Sequence, residues 1–296
     1  MSNINICAQD AYLALYPQSK KPVGVNWPDE GTSQEQALAT NGNLGLLLGP
    51  KSDVMDVDLD CREAKGLAEL ILPKPFAQFD RGTSDSGHYL YKAITCGPTK
   101  RFSGNGSKST LVELRGDGSQ TMIPPSIHPD GSRLNFTDIN QDAPEVEYAD
   151  LLKSVSLLAA CSEVAQLWVS GRRHELALSF SGLCLKQNVN PQLLINIIQR
   201  LCQTTGDRDE QDRMNCVRTS VGKPHDELRG YNGLVDCIGK VAADRIAKLV
   251  GQYCGREEGS LAVIQEAKSE IVNFGRFVDG LQRDRGKIER GLWSMA

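Results

Sequence analysis

Three short strings within the first 126 residues carry the residue types that bind metal ions and phosphates. Asp56 and Asp58 stand two apart in Val54-Met55-Asp56-Val57-Asp58. Ser86 and His88 close the string Arg81-Gly82-Thr83-Ser84-Asp85-Ser86-Gly87-His88. Glu113 and Arg115 stand two apart in Val112-Glu113-Leu114-Arg115-Gly116-Asp117-Gly118. Each string inserts polar groups into a stretch that otherwise reads as a buried strand. Strand side chains alternate between faces, so each pair projects to one side. Two carboxylates spaced about 6–7 Å along a strand can converge on a hard divalent cation, which takes oxygen ligands. Left ionised and unpaired inside a fold, they would be costly.

Each string has a plainer reading. An Asp-x-Asp occurs in turns and exposed strands. Glu113 beside Arg115 describes a surface ion pair worth little, and a lone histidine is commonly structural. The sharper reading makes Glu113 a third acid and Arg115 a guanidinium suited to bidentate contact with phosphate oxygens. Ser86 and His88, sharing a face across Gly87, add two more phosphate-binding groups. Gly116 and Gly118 let the backbone turn or approach closely. Two or three carboxylates with cationic phosphate ligands are the minimal parts of two-metal phosphoryl or nucleotidyl transfer. A GxSxG elbow and a GxxxxGK[ST] loop are both absent, which disfavours serine hydrolysis and a Walker-type pocket.

The elements that must position these residues follow from apolar periodicity. Stretches 44–48, 54–58, 88–92, 111–115 and 121–123 read as short strands. Stretches 33–40 and 61–72 read as helices, with Asp60 and Glu63 resembling a capping box. The Gly- and Ser-rich stretch 100–110 reads as a mobile loop. After Asp142-Ala143-Pro144 the pattern becomes helical: 148–170, 173–187, 191–204, 211–221, 234–253 and 260–282. Pro191 suits a first helical turn. The expected fold is α+β: a mixed-sheet α/β core over residues 1–145, then an all-α helix bundle over 146–296.

The chain has 296 residues, enough for one large or two modest domains. Its 40% hydrophobic and 24% charged content is that of a globular protein. No apolar run approaches the roughly 20 residues of a membrane span. The start, Met1-Ser2-Asn3-Ile4-Asn5, lacks the layout of a secretion signal. Nine cysteines are scattered singly, without a CxxC pair or a Cys/His cluster at zinc spacing. Only cysteines distant in sequence could build a zinc site. Isolated thiols fit a reducing cytoplasm, the expected location. Residues 1–149 carry 13 Lys+Arg against 19 Asp+Glu, and residues 150–296 carry 20 against 18. An acidic half can bind a polyanion when divalent cations neutralise part of its charge, and the weak net charge implies modest, salt-sensitive affinity for DNA.

Taken in order, Asn43-Leu44-Gly45-Leu46-Leu47-Leu48-Gly49, Met55-Asp56-Val57-Asp58, Thr83-Ser84-Asp85-Ser86-Gly87-His88-Tyr89-Leu90-Tyr91, Glu113-Leu114-Arg115-Gly116-Asp117-Gly118 and Ile123-Pro124-Pro125-Ser126 resemble the bifunctional DNA primase/polymerase (prim-pol) domain of the archaeo-eukaryotic primase superfamily. The resemblance covers about residues 10–140. It implies an archaeo-eukaryotic primase-like core in which Asp56, Asp58 and Glu113 hold Mg²⁺ or Mn²⁺ and, with His88, form the catalytic set. It also implies that Ser86, His88 and Arg115, with Arg81 and Ser126, bind the nucleoside triphosphate (NTP or dNTP). Two departures stand out: Asp85 occupies a place where a small residue is common, and the third acid is Glu. The helical half is similar to the bundle following this core in plasmid and phage replication proteins, which holds template and initiating nucleotide. Gly171-Arg172-Arg173-His174-Glu175 carries that similarity, with Arg172 and Arg173 as candidate DNA contacts.

The resulting expectation is a DNA primase-polymerase acting on a single-stranded DNA template, in plasmid or phage replication, alongside a replicative helicase domain or protein. Two rivals belong to other classes. One is a non-catalytic replication initiator that grips duplex DNA without metal. The other is a metal-dependent phosphohydrolase that needs no template. Tyr89 and Tyr91 are aromatic candidates for a gate against the ribose 2′-hydroxyl, but strand parity turns both away from His88.

Overall fold

The computed structural model describes residue 6 and residues 10–82, 85–104 and 110–255. Thr83 and Ser84, residues 105–109 of the loop expected at 100–110, and the helix expected at 260–282 lie outside these described residues. The order is β1 (Tyr12–Leu15), α1 (Gln34–Leu38), β2 (Asn43–Leu47), β3 (Val54–Leu59), α2 (Arg62–Ile71), β4 (Ala77–Asp80), β5 (Gly87–Thr95), β6 (Lys100–Ser103), β7 (Thr110–Arg115), β8 (Gln120–Ile123), β9 (Asn135–Ile139) and β10 (Val146–Glu147). Six helices follow: α3 (Tyr148–Gln166), α4 (Arg173–Lys186), α5 (Pro191–Thr205), α6 (Glu210–Arg218), α7 (Gly230–Ile238) and α8 (Lys240–Tyr253). The fold is α+β, antiparallel sheets followed by helices, as the residue pattern indicates.

A small sheet runs β1-β2-β8, and a larger one runs β6-β7-β3-β5-β4-β9 with β10 added beside β5. Every pairing is antiparallel except β10 with β5. The central strand β3 is buried along its whole length. Its odd positions, Met55, Val57 and Leu59, join Tyr89, Tyr91 and Leu114 in a core shared with α2 and the later helices. On the opposite face Val54 and Leu90 pack with β1, β2, Phe76 and Phe79 in a second core. Asp56 and Asp58 share that opposite face, so alternation sends the carboxylates to the side of the small sheet.

The helix α3 is apolar around much of its circumference, from Leu151 through Val164, which suits a buried helix covered on several sides. It packs against α2, α8 and β7. The change from strands to helices falls at residues 146–148, and the same apolar core extends from the large sheet through α2 and α3 to α8. Helix α5 begins with Asn190, whose side chain accepts from the amides of Gln192 and Leu193, followed by Pro191; it ends at Gly206 in a left-handed conformation.

Three expectations need correction. The helix expected over 234–253 is two, α7 and α8, broken at Gly239 with φ 82° and ψ 158°, a region only glycine enters readily. The start of the expected 100–110 loop is strand β6, an edge strand whose charged residues blunt the sheet margin. Helix α2 begins at Cys61 with no side-chain cap, so Asp60 is not a capping residue.

Candidate active site

The register of three adjacent strands assembles the site. Asp58 of β3 pairs with His88 of β5 on one side and with Glu113 of β7 on the other. Asp56 lies opposite Arg115. Residues 30 to 60 positions apart in sequence thus sit side by side, on the face their parity predicts. Gly116 closes the end of β7 where a side chain would strike the carbonyl oxygen of Gly97, so only glycine permits this approach.

The contacts form one chain of charge. His88 Nδ1 donates to Asp56 Oδ2 at 2.9 Å, and its Nε2 lies 3.6 Å from Asp58 Oδ1. Arg115 donates through Nε to Glu113 at 3.0 Å and lies 3.6 Å from Asp58. Arg101, opposite Glu113 across the β6–β7 pair, donates to that carboxylate at 3.1 Å. Phe79 stacks on the His88 ring at a centroid distance of 4.5 Å and fixes its plane.

Burial by itself would raise the pKa of Asp56, but His88, and more weakly Arg115, overturn this and hold it below the ordinary carboxylate value. Burial by itself would lower that of His88; Asp56 and Asp58 reverse this and keep the imidazolium favoured. Asp60 behaves oppositely. Desolvation in the cavity and the neighbouring Asp58 and Glu113 carboxylates push it up to about 6, against Arg115 and His88.

Between the two sheets lies a cavity of about 280 Å³. Asp58, Asp60, His88 and Arg115 form its acid-bearing wall; Lys20, Arg81, Ser86 and His128 add cationic and polar groups around it. Arg81 donates to Ser86 Oγ at 3.0 Å and to Asp130 at 2.7 Å, and Asp130 also lies 3.0 Å from His128 Nδ1. Gln120 lines the cavity too, and its buried Oε1 has no hydrogen-bond partner among the described residues.

Of the sequence candidates, Asp56, Asp58, His88, Glu113 and Arg115 come together as one network, and Arg81 and Ser86 join its cavity. Asp56 is fully buried behind His88, and both Glu113 oxygens are engaged by arginines, so Asp58 and Asp60 are the acids that face the cavity. Ser126 is elsewhere. Its buried hydroxyl accepts from the Leu44 amide at 2.8 Å and returns a bond to the Leu44 carbonyl, linking the chain after β8 to β2. Arg172 is exposed and donates to the carbonyl of Cys237. Arg173 lies 3.3 Å from the buried Asp207. Asp85 is exposed and does not line the cavity.

Lys20, Asp60, Gln120 and His128 were not singled out as site residues by the sequence. Asp60 keeps the parity of Asp56 and Asp58, and His128 follows Ser126 by two residues; those were the available signals. Lys20 and Gln120 gave none.

Acids and cations thus line one cavity between the two sheets of this α+β fold. Residues 8–148 match the family model described as bifunctional DNA primase/polymerase, N-terminal, and this stretch of the chain is a domain of that family. No curated protein matches the chain. No helix among the described residues is long and apolar enough to cross a membrane.

Proposed function

We propose that the protein is a DNA primase-polymerase that joins nucleotides on a single-stranded DNA template by divalent-metal-dependent nucleotidyl transfer. The observation that carries this reading is the three-strand register placing Asp58 between His88 and Glu113 at a cavity also lined by Lys20, Arg81, Arg115 and His128. The domain family supports it.

The residues fit a hard divalent ion by the chemistry of their donors. Asp56, Asp58, Asp60 and Glu113 bring four carboxylates, against which the described network sets His88, Arg101 and Arg115. Asp58 and Asp60 would offer oxygens to Mg²⁺ or Mn²⁺ at the cavity, with Asp56 and Glu113 behind them. When bound, such ions supply the charge that favours the attacking 3′-hydroxylate and the departing pyrophosphate.

The chain's own groups bind and orient. Arg115, anchored by Glu113 and Asp58, presents a guanidinium of fixed direction to phosphate oxygens. Arg81, held between Ser86 and Asp130, does the same from the opposite side. His88 keeps Asp56 and Asp58 aligned, and the Phe79 stack restricts its rotation. The exposed Arg172 is the candidate phosphate contact of a template held by residues 146–296, the proposed template and initiating-nucleotide part beside a catalytic part of residues 1–145. We place the activity in the cytoplasm, in plasmid or phage replication with a replicative helicase as partner.

One gel tests the reading. The full chain is incubated with an unprimed single-stranded template, Mg²⁺ or Mn²⁺, and labelled dNTPs or NTPs. Template-dependent products that vanish with chelator are expected. Metal-independent duplex binding without products would replace the enzyme by an initiator. Template-independent release of phosphate or nucleoside monophosphate would replace it by a phosphohydrolase.

A further inference from the structure

A second group of metal-ligating side chains lies in the helices, where none of the cavity residues reach. His174 is the second residue of α4; Asp212 and Cys216 stand four apart on α6, hence on one helix face. The two helices pack together. His174 Nδ1 lies 2.8 Å from Asp212 Oδ2 and 3.8 Å from Cys216 Sγ, and the three ligand atoms all lie within 4.8 Å of one another. Cys216 is buried while His174 and Asp212 are exposed. The cluster therefore has a sulfur at its floor and an opening to solvent for a fourth ligand.

We infer that His174, Asp212 and Cys216 form a binding site for a zinc-class ion, separate from the acids between the sheets. Zinc bonds of about 2.0–2.3 Å to N, O and S set the edges of a tetrahedron at about 3.3–3.6 Å. The nitrogen–sulfur separation is already close to that value. The His174–Asp212 hydrogen bond must open by about half an ångström to reach it, which an exposed carboxylate can do. Thiolate with imidazole selects a borderline-soft ion such as zinc, whereas the all-oxygen acids of the cavity suit Mg²⁺ or Mn²⁺.

On binding, the Cys216 Sγ–H bond breaks, its proton leaves to solvent, and a sulfur–metal bond forms without any redox change. Asp212 also contacts Arg213, whose guanidinium holds the buried Asp207, so a rigid second layer backs the ligand. The ion would staple the start of α4 to α6.

Cobalt(II) is the probe. One equivalent added to the intact, reduced protein should give the thiolate-to-cobalt charge-transfer absorption and the intense visible bands of a four-coordinate ion. Cys216→Ser should abolish the charge-transfer band. His174→Gln, an exposed substitution that leaves the core untouched, should weaken cobalt and zinc binding about 100-fold or more, beyond the cost of losing an outer-layer partner. Asp56→Ala with Asp58→Ala should leave the band in place. Zinc should raise the melting temperature of the wild type and of the Asp56/Asp58 variant, but not of His174→Gln. Absence of the band in the wild type, or its survival in Cys216→Ser, overturns the site.

Discussion

Charged side chains are buried in both the strand-rich and the helical regions, and they are compensated differently. In the helices each buried acid is fully engaged by donors, even though Arg213 is shared with the exposed Asp209 and Asp212. Glu163 of α3, wholly buried, receives the Arg245 guanidinium of α8 through two nitrogens. Asp207 receives Trp168 Nε1 at 2.9 Å and Arg213 Nε at 3.0 Å, with Arg173 at 3.3 Å. In the strands the acids are crowded, their cations are shared, and the network opens on a cavity. Asp60 sits among them with its pKa pushed up by burial and the neighbouring carboxylates, against Arg115 and His88. Closed pairing serves rigidity. Shared, incomplete pairing leaves charge for a ligand to complete, which is how perturbed groups come to mark functional sites.

The largest effect should come from removing the crowded acids. Asp56→Ala with Asp58→Ala should lower nucleotide incorporation by about 1000-fold or more, at least the loss seen on deleting one positioned charge-stabilising group elsewhere, with an unchanged circular dichroism spectrum. Primer extension measures it, and retained extension would erase the distinction between the two regions.

Asp207→Ala tests the other side. It removes the acceptor of the Trp168 indole and one of the three carboxylates around Arg213, and should cost about 1–3 kcal/mol in urea unfolding. Incorporation per folded molecule should survive. A specific activity loss with unchanged stability would show that the helical pairs belong to the chemistry.

A smaller, pH-dependent effect should separate His88 from a simple packing group. The folded pKa of Asp56 is depressed, so its stabilisation is present above 3.8 and is lost as pH falls through the folded value. That of His88 is raised, so its stabilisation is full below 6.5 and is lost as pH rises through the folded value. The stability difference between wild type and His88→Gln should therefore peak between these limits and shrink on either side. A difference flat from pH 4 to 9 would refute the ion pair.

The smallest effect belongs to Asp60. Its raised pKa means that the fold binds the proton more tightly than the unfolded chain, so stability is lost as pH rises from 3.8 through about 6. Asp60→Asn should stabilise the metal-free protein at pH 8 and lose that advantage as pH falls below 3.8. Added Mn²⁺ should raise the melting temperature of the wild type more than that of the variant. Equal shifts would remove Asp60 from the ion's surroundings.

Much of the site face was legible because strand alternation is local. Asp56, Asp58, His88, Glu113 and Arg115 could be assigned to one side from parity, with Tyr89 and Tyr91 opposite, and the apolar cores confirm those sides. Residue type misled where a local pattern had two uses. Asp60 looked like a helix cap, but the chain enters α2 at Cys61 and leaves the carboxylate at the cavity. Ser126 looked like a phosphate ligand, but its hydroxyl is spent on the Leu44 backbone. Lys20 and Gln120 were invisible because they come from the small sheet and the segment that follows its first strand, whose placement no spacing rule encodes. His174 and Cys216, 42 residues apart, fall outside every zinc-spacing pattern for the same reason.

From the sequence alone came the identity of the acids, the faces they occupy and the order of strands before helices. These follow from backbone geometry with periods of two and 3.6 residues, which any local stretch displays. Only the tertiary structure decided which charges are paired, which face the cavity, and which cations stand beside them. Compensation of a buried charge depends on groups within a few ångströms, and here those groups arrive from strands and helices distant in the chain.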